Sequence, residues 1–177
     1  MKKHLRKRLP RYLTRLLCLQ RTNVRGGILS GLLLFVIAAS VRLCAGSPYR
    51  SYLLYHSFGN RPPLAVLTLT DLLLIFAMGF ACGLILGDRR QQFREYKYRA
   101  GMFFVILFTL YMTVWLLLLR CAIPWIAMVV LTAALILSLW CTVLFGTIRR
   151  LCGFFAFTFS CWVTYLFILL LGCLLRF

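Results

Sequence analysis

PYRSYLLYHSFGNRPPLAVLTLTDLLLIFAMGFACGLILG, residues 48–87, decides how the chain folds. It opens as an aromatic-rich polar loop and turns at Pro62-Pro63. Paired prolines fix two φ angles and push the preceding residue away from helix, so the loop ends there and a helix can begin. From Leu64 to Leu86 the run is apolar, apart from two threonines and one acid, Asp71. A hydrocarbon core of about 30 Å needs roughly 20 such residues at 1.5 Å each, so the run is long enough to cross a membrane. Gly79, Gly83 and Gly87 recur at four-residue spacing and form one smooth stripe, where another backbone can come close. Loop, acid and stripe read as the mouth, wall and packing seam of a membrane-embedded site.

The rest of the chain agrees with that reading. Of its 177 residues, 63% are hydrophobic and three are acidic, and the mean hydropathy is +0.91. A soluble domain of this size cannot cover so much apolar surface, so the class is integral membrane protein. Apolar runs fall at about 28–45, 64–86, 100–119, 123–146 and 151–175. None alternates with a period of two, which argues against a β-barrel. The expected fold is an all-α, five-transmembrane-helix bundle over residues 27–177, preceded by a basic segment, residues 1–26.

The net charge of +18 invites a nucleic-acid reading, but the basic residues flank apolar spans and no nucleic-acid module is present. The positive-inside rule accounts for the excess and orients the chain. Sixteen Lys/Arg fall in the tail, in 88–99 and at Arg149-Arg150, against five at Arg42, Arg50, Arg61, Arg120 and Arg176. The expectation is a multi-pass plasma-membrane protein with its N-terminus cytoplasmic and its C-terminus outside. In the tail Leu5, Leu9, Leu13, Leu16 and Leu17 recur near helical spacing among basic residues, interrupted by Pro10, a pattern suited to lying on an anionic leaflet.

Eight cysteines show no C-x-x-C pair, so the zinc and redox signatures are missing. Cys44 and Cys121 fall near the same face and leave a disulfide open; unpaired packing residues are the alternative. Two histidines and three acids supply no acid–base pair, triad, phosphate loop or metal-ligand spacing, which makes an enzyme the weakest class.

Asp71 lies a few residues below Pro63, where an ionised carboxylate must face the bundle interior and find a partner. Arg42, near the end of the first span, either snorkels to the headgroups or reaches Asp71. On the third span Phe104, Phe108, Tyr111 and Trp115 share one face, as do Phe155, Phe159, Trp162 and Leu166 on the fifth. Such stripes are packing surfaces that equally suit a flat hydrophobic ligand.

At this point the chain resembles the tryptophan-rich sensory protein / translocator protein family (TspO/MBR, the peripheral-type benzodiazepine receptors). The family's first-loop pattern W-Y-x-x-L-x-K-P-x-W-x-P-P is matched at Tyr52, Pro62 and Pro63, and W-x-x-L-Y-x-x-M-G at Leu74, Met78 and Gly79. The third-helix motif is kept at Trp115, and the fifth at Trp162 and Val163, with Phe159 in place of a tyrosine. Asp71 stands where the family has tryptophan; the loop tryptophan and Lys-Pro positions are Ser51, Ser57 and Phe58, and the second loop tryptophan is Asn60. The resemblance implies five helices and a cavity capped by the first loop that takes porphyrins, sterols or isoquinoline-type molecules.

The leading expectation is therefore a membrane binding or sensory protein for a hydrophobic, planar molecule. Its expected contacts are Tyr52, Pro62, Pro63, Asp71, Met78, Trp115, Phe159 and Trp162. A porphyrin- or haem-like molecule is expected as ligand rather than as a required cofactor. The partners are the lipid bilayer, that small molecule and, through Gly79, Gly83 and Gly87, a neighbouring helix or a second copy. A small transporter, or an accessory subunit packing through the glycine stripe, is the alternative.

Overall fold

The computed structural model describes residues 21–45, 64–87, 94–118 and 124–174. Five helices cover them: α1 (Arg21–Ala45), α2 (Leu64–Leu86), α3 (Arg94–Leu116), α4 (Pro124–Ile148) and α5 (Arg150–Leu174). Each is long and apolar enough to span a membrane, and no strand occurs among the described residues. The all-α, five-transmembrane-helix architecture is thus what the apolar runs foretold.

Helix ends extend beyond the apolar runs where the hydrogen-bond ladder continues into polar sequence. α1 takes in Arg21–Arg25, inside the segment expected to precede the bundle. α3 begins at Arg94, six residues before the apolar run, and carries Glu95 four residues ahead of Arg99 at 4.0 Å. That pair is exposed and contributes a few tenths of a kcal/mol, about what an exposed i,i+4 pair is worth. At α4 the proline sits on the first helical residue, the one place where its missing N–H goes unneeded.

α2 is the central helix, in contact with each of the other four, while α1, α3, α4 and α5 surround it. Its buried face holds Asp71, Ile75, Met78, Cys82 and Ile85, and its span is the most enclosed of the five. The closest pairings are α1 with α2 and α4 with α5. Both use glycine to bring backbones together.

On the α1–α2 seam, a Cβ at Gly79 would stand 3.0 Å from the Gly31 Cα, and one at Gly83 would stand 2.8 Å from the Gly27 Cα. Ser30 Oγ donates across the seam to the Gly79 carbonyl at 2.6 Å. Between α4 and α5, a Cβ at Gly153 would lie 2.6 Å from the Gly146 Cα, and Thr142 and Ser160 hydroxyls meet at 3.0 Å. Without water in the hydrocarbon layer, such close contact and hydrogen bonding take over from the hydrophobic effect in holding helices together. Gly79 and Gly83 are therefore occupied inside the chain. Gly87 is exposed at the end of α2, where its N–H meets the Gly83 carbonyl at 3.0 Å.

The lipid-facing residues are apolar and exposed, including Leu29, Leu33, Leu69, Val129, Trp125 and Trp140. Aromatic contacts tie α5 to the centre and two outer helices to each other: Phe80 of α2 meets Phe155 of α5 at 6.2 Å, and Phe104 of α3 meets Phe145 of α4 at 6.3 Å.

Candidate functional site

One residue breaks the apolar interior decisively. Asp71 is fully buried, seven residues into α2, or about 10 Å from its start at 1.5 Å per residue. Leaving a carboxylate unpaired there would cost several kcal/mol. Three neighbouring helices supply partners.

From the last turn of α1, Arg42 forms an ion pair with Asp71 through Nη2 and Oδ2. From α3, the Tyr111 hydroxyl donates to Asp71 Oδ1. From α5, Trp162 Nε1 donates to the same oxygen at 2.5 Å. Both carboxylate oxygens thus have protein partners, and the pair is electrically neutral as a unit. Of the two alternatives open for Arg42, snorkelling or pairing, the bundle adopts pairing.

Arg42 is held on two further sides. Its Nη1 donates to the Thr68 carbonyl at 3.2 Å, and its guanidinium lies 4.3 Å from the centre of the Trp115 ring. A planar cation over an indole face is stabilised by the ring quadrupole, by about 2 kcal/mol or more once water is excluded. The helices meet here because α1 and α3 end, and α2 begins, at the same end of the bundle.

The remaining residues singled out in the sequence divide into three groups. Phe159 is buried and packs edge-on against Tyr111, with ring centres 5.2 Å apart, so it braces the phenol. Met78 is buried in the core, seven residues and about 10 Å deeper than Asp71 on the same face of α2. Tyr52, Pro62, Pro63 and Cys121 lie outside the described residues.

Tyr111 was legible only as one aromatic in a stripe. The signal that singles it out is its hydroxyl, since a phenol inside a membrane span needs a hydrogen-bond partner. Among the described residues no three His, Cys, Asp or Glu side chains converge as metal ligands. Chemically the arrangement offers two indoles, a phenol and a neutralised ion pair facing an apolar interior.

A model of the TspO/MBR family matches residues 31–175. The chain belongs to the TspO/MBR family. No curated protein and no solved structure gives a significant match. The matched region takes in nearly all of the five TspO/MBR helices described above, and within it lie Arg42, Asp71, Tyr111, Trp115, Phe159 and Trp162. Membership agrees with a multi-pass membrane protein of the binding or sensory kind.

Proposed function

We propose that this TspO/MBR protein binds a hydrophobic, planar molecule, porphyrin- or sterol-like, at the bundle end marked by Asp71, beneath a cap formed by the first loop. The observation that carries this reading is the convergence of Trp115, Trp162, Tyr111 and the Arg42–Asp71 pair at one end of an otherwise apolar bundle. A well-packed apolar cluster would hold the helices equally well, because desolvating two charges offsets most of their attraction. Polar groups kept inside a membrane bundle therefore point to a function beyond packing.

In this reading Trp115, Trp162 and Phe159 offer ring faces, and Tyr52, Pro62 and Pro63 close the mouth. Met78 forms the floor, two turns below Asp71. The ligand is cargo or signal rather than a resident cofactor, and the site end faces outward, with the N-terminus in the cytoplasm of a plasma-membrane protein.

Titrating purified protein in detergent with protoporphyrin IX tests the proposal. Saturable quenching of tryptophan fluorescence in the micromolar range is expected, weakened about tenfold in Trp162→Phe, a loss equivalent to roughly 1.4 kcal/mol. A linear, non-saturating titration identical in both proteins would refute it.

A further inference from the structure

The neutralised ion pair, taken with the Trp115 indole donor beside it, narrows the chemistry of the ligand's polar edge. Trp115 Nε1 is buried and has no hydrogen-bond partner among the described residues. A buried N–H left unpaired costs about 1–3 kcal/mol, so the site is incomplete until an acceptor arrives. Asp71 does not serve: its Oδ1 accepts from Tyr111 and Trp162, its Oδ2 faces Arg42, and neither oxygen makes a hydrogen bond with Trp115 Nε1.

The sign of the charge nearby decides which acceptor fits. Arg42 is the one described cation at this cluster, and its charge is already compensated by Asp71. It also contacts the Thr68 carbonyl and the Trp115 face. An anionic group entering beside them would bring a net negative charge into a low-dielectric interior, where nothing among the described residues is left to balance it. A carbonyl, ester or ether oxygen brings no such charge and accepts from the indole N–H equally well.

We infer that the ligand presents an uncharged hydrogen-bond acceptor to Trp115 Nε1, and that the site discriminates against a carboxylate at that point. This rests on the binding reading above and specifies the ligand class within it: a flat apolar molecule with a neutral carbonyl-type edge.

Two probes that differ only in that charge supply the test: protoporphyrin IX and its dimethyl ester, titrated in neutral detergent. The quantity read is the ratio of their dissociation constants, compared between proteins so that micelle partitioning cancels. Wild type is expected to favour the ester. Trp115→Phe, which keeps a ring beneath Arg42 but removes the donor, should weaken ester binding about three- to tenfold, as expected for one lost neutral hydrogen bond. Asp71→Asn leaves Arg42 uncompensated and should shift the ratio toward the free acid by about tenfold or more.

The double variant Arg42→Gln/Asp71→Asn removes both charges and should keep the ester preference, which serves if Asp71→Asn alone does not fold. An unchanged ester affinity in Trp115→Phe, or free-acid preference in wild type, overturns the inference while leaving the binding reading standing. Absence of saturable binding by either probe overturns the binding reading itself, and this inference with it.

Discussion

Replacing Asp71 by Asn removes one charge while keeping the shape of the side chain and an oxygen that can still accept from Tyr111 and Trp162. The consequence falls on Arg42, whose side chain is only 10% exposed. Removing one partner of a buried pair costs about 3–5 kcal/mol, because the other charge is left without compensation. The lower end applies here: Arg42 lies in the last turn of α1 and keeps the Thr68 carbonyl and the Trp115 face. Asp71→Asn is therefore expected to destabilise the bundle by about 3 kcal/mol. Tyr111→Phe should cost only about 0.6 kcal/mol, the usual worth of an interhelical hydrogen bond in a membrane. Charge, not hydrogen bonding, dominates this cluster.

The double variant Arg42→Gln/Asp71→Asn, which keeps an oxygen for Tyr111 and Trp162, separates a charge effect from general damage. With both charges gone no desolvation is left to offset, and stability within about 1 kcal/mol of wild type is expected. A double-mutant cycle read by reversible SDS-induced unfolding in mixed micelles gives the coupling directly. Single substitutions that each cost under 1 kcal/mol, with a double variant equal to their sum, would show that the pair is no energetic unit.

Other outcomes follow from the seams. Gly83→Ala places a methyl 2.7 Å from the Gly26 carbonyl oxygen and should destabilise by about 1–3 kcal/mol in the same unfolding assay. Gly101→Ala is its counterpart: the nearest atom is the flexible tip of Leu86 at 3.3 Å, so helix propensity should prevail and stabilise by up to about 1 kcal/mol. Ser160→Ala removes the contact with Thr142 and should cost about 0.6 kcal/mol. For topology, reporter fusions should place the N-terminus inside and residue 177 outside; the reverse pattern would move the site to the cytoplasmic face.

The fold was legible because a membrane span leaves a plain signature. Apolar length fixed where each helix crosses, and the glycines at 79 and 83 marked where α2 meets another backbone. The ends were less legible. Hydropathy marks where lipid stops, whereas a helix stops where its hydrogen-bond ladder does, so α1 and α3 run on through arginines. Gly87 shared the spacing of the stripe, yet it lies exposed past the last turn of α2.

The site was half legible. An intramembrane acid demands a partner, and Arg42 was the evident candidate on chemistry alone. That Tyr111 and Trp162, 40 and 91 positions away, both donate to one oxygen of Asp71 is set by how α3 and α5 lean on α2. No local pattern encodes that geometry. Nor does the motif at Met78 reveal its place in the packed core, far below the ion pair.

The four tryptophans report directly on whether a ligand binds at the Asp71 cluster. Trp115 and Trp162 belong to the Asp71 cluster, whereas Trp125 and Trp140 face lipid at 69% and 58% exposure. Indole N–H resonances of ¹⁵N-tryptophan-labelled protein, assigned by single Trp→Phe substitutions, should be followed as protoporphyrin IX dimethyl ester is added. Saturable shifts are expected for Trp115 and Trp162, with Trp125 and Trp140 unmoved. Shifts confined to Trp125 and Trp140, or equal and non-saturating at all four, would contradict that binding and leave the molecule partitioned in the micelle rather than bound at the Asp71 end.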